Sequence, residues 1–290
     1  MIRFQNVSKV FKKNRVLDHT DLEIQLGERI ALVGSNGAGK TTLIRCLLGE
    51  YTHDGAVMVE GQTPRQARAQ VLQKIGFVPQ LPPPLKMPVG QLINFAASVC
   101  NSERSRMVDI AARLGLDVES VRHLPFVKLS GGMKQKLLIA IAMGRDSKIL
   151  VMDEPAANLD PEARHIFFQL LAERQENTTM LISSHRLDEV AALVNRVLEL
   201  DRGKVVLDDK VADDVSLSGL LACHLTLRRP EAAIAKALAN WKFTDAGNGT
   251  EWSGMVSGAD RLRFLGMLSR YVGLLTKISL DEIEGGGGNA

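Results

Sequence analysis

Residues 34–41 read Gly-Ser-Asn-Gly-Ala-Gly-Lys-Thr, which fits the pattern G-x-x-x-x-G-K-[ST]. The chemistry that this spacing suits is the binding of a polyphosphate. Gly34, Gly37 and Gly39 let the backbone wrap an anion so that the amides of Ser35, Asn36 and Ala38 point inward, and a following helix adds its positive N-terminal end. In such a loop Lys40 meets the β- and γ-phosphates, the Thr41 hydroxyl stands at the place of a Mg2+ ion, and Thr42 completes the run. Asp153-Glu154-Pro155 supplies two adjacent carboxylates with separate tasks. Asp153, at the end of an apolar run, reaches a metal through water, while Glu154 faces another way and accepts the proton of an attacking water. Alone, acidic residues before proline also serve as ordinary turn starters; the phosphate loop upstream gives them the chemical reading. His185 closes a third apolar run. A lone histidine is more often a satisfied polar residue, so its candidacy rests on its place at the same edge as the other two motifs. Ser130-Gly131-Gly132 has two uses, as a helix start capped by Ser130 or as a second anion-binding helix end, and the residues alone do not choose between them.

These groups act together only on a scaffold that carries them to one edge. Ile30-Ala-Leu-Val33 is a short β-branched run fit for a strand buried on both faces, and it feeds the glycine loop, which a helical pattern (Leu43, Ile44, Leu47, Leu48) follows. Ile149–Met152 runs into Asp153, and Met180–Ile182 runs into Ser183-Ser184-His185. Three buried strands ending in polar groups and separated by helical stretches predict an α/β domain with its site at the strand carboxyl ends. Ahead of them, alternation at Phe4 and Val7 and again at Leu22, Ile24 and Leu26 predicts strands joined by a turn. Between residues 84 and 148 strand signals vanish, and helix-period segments at Val89–Val99, Met107–Leu114 and Gly132–Met143 predict a helical insertion behind a stiff Pro82-Pro83-Pro84 connector.

After Asp208-Asp209 the pattern changes. A strand over Ala222–Arg228, a helix over Pro230–Trp241 with proline in its first turn, strands over Lys242–Asp245 and Glu251–Val256 about a Gly247-Asn-Gly249 turn, a helix over Ala259–Val272 and a strand over Leu274–Ile283 follow in order. That β-α-β-β-α-β order is the ferredoxin-like split unit. The expected domains are therefore 1–212, 213–284 and a flexible glycine-rich tail at 285–290. Composition agrees with folded domains: of 290 residues 45% are hydrophobic and 24% charged, with a net charge of only +3, which excludes a chain disordered throughout. Three widely spaced cysteines (Cys46, Cys100, Cys223) frame neither disulfides nor a zinc site. The mixed charge gives no nucleic-acid footprint. No run approaches the roughly 18 apolar residues of a membrane span, and the first residues lack a secretory signal, so a cytosolic address is expected.

The ordered set Gly34–Thr42, Gln80 after Gly76-Phe-Val-Pro79, Leu129-Ser-Gly-Gly-Met133, Asp153-Glu154-Pro155, Asn158-Leu159-Asp160 and Ser184-His185 resembles the ATPase subunit of ATP-binding cassette transporters over residues 1 to about 212. The resemblance implies a P-loop α/β cassette that takes ATP and Mg2+ and acts as a head-to-tail dimer, each ATP lying between the phosphate loop of one copy and Ser130, Gly131 and Gly132 of the other. By the same resemblance Gln80 senses Mg2+ and the attacking water, Glu154 polarises that water, Asp160 bridges the dimer, His185 contacts the γ-phosphate, and Phe11 stacks on adenine. It also implies a separate polytopic membrane permease docked near Gln80–Pro88, a place on the inner face of the cell membrane, and, from the small C-terminal domain, the exporter-like class. Met133 stands where many members have Gln, and Ala156 where many have Thr; neither removes a phosphate, metal or water ligand. Two other classes compete: a soluble cassette ATPase working on ribosomes or DNA, which usually has two cassettes or a long coiled coil, and a nucleotide-gated sensor without transport.

Overall fold

The computed structural model describes residues 1–145, 147–174, 178–184, 190–210, 220–257, 264, 267–268, 271 and 274–282. The chain divides into two compact units, Met1–Lys210 and Val211–Ala290.

The first unit opens with β1 (Ile2–Phe11), β2 (Asn14–Ile24) and β3 (Arg29–Val33), followed by α1 (Lys40–Leu47), β4 (Asp54–Val59), α2 (Arg68–Gln73) and β5 (Ile75–Val78). The helical insertion holds α3 (Val89–Cys100), α4 (Arg104–Arg113), α5 (Val118–Val121) and α6 (Gly131–Gly144). Then come β6 (Ile149–Asp153), α7 (Pro161–Ala172), β7 (Thr179–Ser183), β8 (Arg196–Asp201) and β9 (Lys204–Lys210). Two sheets result. One is antiparallel in the order β2-β1-β4; the other runs β5-β6-β7-β3-β8-β9, parallel except for the β8–β9 hairpin. From sequence three strands of the large sheet were expected; β5, β8 and β9 join them.

Alternation along the buried strands splits the core into two layers. Ile149 and Val151 of β6 pack with Leu43, Ile44 and Leu47 of α1 and with Phe4 and Val57 of the antiparallel sheet. Leu150 and Met152 turn the other way, onto Ile139 and Met143 of α6 and Phe167 and Leu171 of α7. α1 is thus enclosed between sheets, which is why four of its apolar side chains are fully buried. Truncating Leu43 to alanine there costs about 2–5 kcal/mol. The insertion keeps its own core around Ile93, Met107, Phe126 and Leu137.

In the second unit β10 (Leu220–Leu227), α8 (Ala232–Asn240), β11 (Thr244–Gly247), β12 (Glu251–Ser257) and β13 (Leu275–Glu282) build an antiparallel sheet ordered β11-β12-β10-β13. That order is the one the split unit requires. Ile234 and Leu238 of α8 pack on Cys223, Leu225 and Trp252 of the sheet. One expectation shifts: α8 starts at Ala232 with Glu231 as its N-cap, so Pro230 precedes the helix instead of lying in its first turn. Of the helix expected over Ala259–Val272 only Phe264, Met267, Leu268 and Tyr271 are described, and the 285–290 tail lies outside the described residues.

Candidate active site

β3 is buried on both faces and stops at Gly34, where the chain turns through the glycine loop into α1. Two glycines are demanded by the chain's own packing. Gly34 has φ +144°, and a Cβ there would run into the carbonyl oxygen of Leu200; Gly39 has φ +111°, and its Cβ would lie 2.8 Å from the carbonyl oxygen of Val16. The β8–β9 turn braces the loop as well, with the Gly203 N–H donating to the Ala38 carbonyl at 3.0 Å or less (2.9 Å). Lys40 is buried, and its Nζ donates to the carbonyls of Gly34 (2.6 Å) and Ser35 (3.2 Å), which fixes the ammonium at the centre of the loop. Thr41 and Thr42 occupy the first turn of α1, where backbone N–H groups have no partner within the helix.

Asp153 and Glu154 follow from β6. The last register pair of the β6–β7 ladder sets Asp153 opposite Ser183. The Ser183 hydroxyl donates to Asp153 Oδ1 at 2.6 Å and accepts the Glu154 N–H at 2.9 Å. All three residues are buried. Glu154 adopts φ +48°, a left-handed conformation that costs a side-chain-bearing residue roughly 1–2 kcal/mol.

A cavity of about 320 Å³ is lined by Val16, the loop from Ser35 to Thr41, Gln80, Asp153 and Glu154. A second, of about 590 Å³, shares Ser35, Asn36, Gln80 and Glu154 and adds Gly34 and Glu199. The donor set around the first cavity, the Thr41 hydroxyl, the Gln80 amide oxygen and the Asp153 carboxylate, is all hard oxygen, the kind that Mg2+ takes. Among the described residues no cluster of three or more His, Cys, Asp or Glu is assembled for a metal.

The Ser130 segment is built differently. Ser130 caps α6, its Oγ accepting the Met133 N–H at 3.2 Å. Gly131 is exposed and a Cβ there would meet nothing within 4 Å; at Gly132 it would lie 3.2 Å from the Asn158 carbonyl oxygen. Farther along α6, buried Gln135 donates through Nε2 to the Pro155 carbonyl (2.9 Å), and Lys136 pairs with Asp160 (2.8 Å). Asp160 caps α7, and the Ala163 N–H and the Lys136 ammonium hold its carboxyl below the ordinary range.

The structure thus brings the glycine loop, Gln80, Asp153 and Glu154 to one cavity. Phe11 is not among that cavity's lining residues; its ring, 39% exposed, sits edge-on to Tyr51 (5.2 Å between centroids) beneath Lys9 Nζ. His185 lies outside the described residues. Sequence reasoning missed Ser183, Gln135, Val16 and Glu199. For Ser183 one signal was present, a hydroxyl closing the strand that follows the Asp153 strand.

A doubly covered, mostly parallel sheet with a glycine loop opening onto α1 and an acidic pair ending a nearby strand defines a P-loop nucleotide-hydrolysing fold. The family described as ABC transporter matches residues 17–157. The Nod factor export ATP-binding protein I of Cupriavidus metallidurans is 31% identical over 220 residues, covering 72% of this chain and 71% of that protein. The arabinose import ATP-binding protein AraG 1 of Burkholderia lata is 31% identical over 233 residues, covering 76% of this chain but 46% of that one. Among solved structures, the dimeric cassette MJ0796 bound to ADP and Pi superposes with TM-score 0.64 at 24% identity, covering 73% of this chain and 99% of that one, a likeness of fold. The chain belongs to the ABC transporter family as an ATP-binding subunit, an ATPase that uses ATP with Mg2+.

Proposed function

We propose that this chain powers export: two copies pair head to tail on two ATP molecules and drive a separate polytopic membrane subunit. The observation that carries the pairing is the inequality of the two helix starts. Gly34 and Gly39 of the phosphate loop hold positive φ and abut carbonyls of their own chain, whereas at Gly131 a Cβ would meet nothing within 4 Å and no positive φ demands a glycine. A glycine that the chain itself does not need leaves room for close approach by a group from outside, here the γ-phosphate held by the other copy.

Within that dimer Lys40 and the loop amides hold the β- and γ-phosphates, and Phe11 stacks on adenine. Thr41, Gln80 and Asp153 hold the metal, which when bound neutralises phosphate charge. Glu154 takes a proton from the attacking water, His185 contacts the γ-phosphate, and Asp160 bridges the copies. Little covalent chemistry is asked of the protein; positioning, charge neutralisation and exclusion of solvent on closure are its share. Residues 1–212 form the cassette, with the helical subdomain at 84–148, 213–284 an accessory domain, and 285–290 a tail. No helix among the described residues is long and apolar enough to cross a membrane, and motion is transmitted at the Gln80–Pro88 loop to a partner that does cross, with this chain peripheral on the inner, cytoplasmic face. Relatives at similar identity include an export and an import protein; the small domain at 213–284, which resembles extensions on cassettes of the exporter-like class, is what supports that direction.

Extraction of membranes followed by affinity recovery of this chain tests the reading. A polytopic protein is expected to co-purify. Recovery only with ribosomes, with nucleoids or free in solution would overturn it.

A further inference from the structure

We propose that Ser183 is a positioning residue of the hydrolytic site, the clamp that holds the Asp153 carboxylate and the Glu154 backbone in one fixed relation. The proposal rests on the roles given above to Asp153 and Glu154. A serine hydroxyl has one proton to donate and lone pairs to accept with. In this site the hydroxyl donates to Asp153 Oδ1 at 2.6 Å and its oxygen receives the Glu154 N–H at 2.9 Å. A backbone N–H can only donate, so the serine oxygen accepts there and its one proton is left for Asp153.

Three facts make the clamp more than a local convenience. Ser183 is 0% exposed, Asp153 2% and Glu154 8%, so the hydroxyl joins the two groups inside the protein, where a lost partner costs most. Glu154 sits at φ +48°, a conformation that persists only where surrounding bonds over-determine it, and its own N–H is one of those bonds. Finally, the register that sets Ser183 against Asp153 is the end of a parallel ladder of five residue pairs, so the hydroxyl is delivered by buried backbone and not by a loop. A shift at the metal-side carboxylate is therefore felt at the peptide that aims the base-side carboxylate.

The test compares Ser183→Ala with Ser183→Thr, which keeps the hydroxyl. In nucleotide-free protein, amide exchange at Glu154 is expected to accelerate at least about 10-fold in Ser183→Ala and to return toward wild type in Ser183→Thr. On the Glu154→Gln background, the gain in ATP affinity on adding Mg2+ is expected to shrink about 5-fold or more in Ser183→Ala, while Mg2+-free ATP affinity stays within about twofold. The kcat of Ser183→Ala is expected to fall about 10- to 100-fold with KM nearly unchanged. If Ser183→Ala does not fold, Ser183→Cys, similar in size but a weak donor and acceptor, is read in the same assays. Exchange at Glu154, Mg2+ gain and kcat all within twofold of wild type would overturn the clamp. Glu154→Gln with near-normal turnover would instead overturn the underlying assignment of the base, so the two failures are told apart.

Discussion

Two glycine-bearing helix starts of the cassette, at α1 and α6, are opposites in construction. At the phosphate loop Gly34 and Gly39 hold positive φ and abut the carbonyls of Leu200 and Val16, and Lys40 is buried against the loop's own oxygens. At the start of α6, Ser130 and Gly131 are exposed, and Gly131 faces open space. The first is a finished anion cradle. The second has a capped helix end and an exposed glycine with open space beside it, where on the proposed reading the phosphate held by another copy approaches. Stability and activity should therefore part company between the two starts.

Gly34→Ala should give the largest effect. Its Cβ has no space beside the Leu200 carbonyl, so the loop or the β8 end must move; ATP binding is expected to vanish and thermal unfolding to report a loss of about 3 kcal/mol. If Gly34→Ala melts like wild type and binds ATP, the claim that the cradle is packed by its own chain fails. Gly131→Ala should do the reverse. Alanine is up to about 1 kcal/mol better than glycine in a helix, so the melt should hold or rise and ATP binding should stay within about twofold, while ATPase turnover drops about 100-fold. A fall in melting temperature with turnover unchanged would erase the contrast.

A smaller effect should come from the brace beneath the phosphate loop. Arg196 at the start of β8 donates two hydrogen bonds to Asp208 of β9 (2.7 and 2.6 Å) and one to Glu28 (2.6 Å), tying together the hairpin whose turn touches Ala38. Those bonds hold Asp208 below its usual value; Glu28, which burial alone would raise, is held low by the Gln25 N–H, Lys210 and Arg196. Asp208→Asn is expected to cost about 1–2 kcal/mol, a modest figure because the carboxylate is 41% exposed and Glu28 remains. Since the folded carboxyl lies below its unfolded value of about 4, its contribution is complete above that pH and is lost as pH falls through the depressed value. Wild type should then lose stability on acidification below about pH 4 more steeply than Asp208→Asn, as urea melts across pH 3 to 7 would read. Smallest should be Asp160→Ala, which removes the cap of α7 and the partner of Lys136 for about 1 kcal/mol in the same melts.

Much of this was legible in the residues. The phosphate loop announces itself because its pattern sits between a β-branched run and a helical one. The alternation after Asp208 carried the order of elements in the second unit. What escaped was whatever depends on tertiary pairing. β9, Lys204–Lys210, is mostly exposed and polar and becomes a strand only by pairing with β8. Ser183 looked like any hydroxyl at a strand end, because its meeting with Asp153 depends on the register of two parallel strands separated by α7. Pro230 marked the approach to α8 and not its first turn, since Glu231 takes the cap. The purpose of Gly131 was undecidable from spacing, because the space beside it becomes visible only in three dimensions.

The most direct measurement is the mass of Glu154→Gln in solution with ATP and Mg2+, by size-exclusion chromatography with light scattering, beside its turnover. The account predicts a stable dimer holding two ATP with turnover reduced at least about 100-fold. A Glu154→Gln chain that stays monomeric with ATP bound, or that hydrolyses at near the wild-type rate, would contradict it.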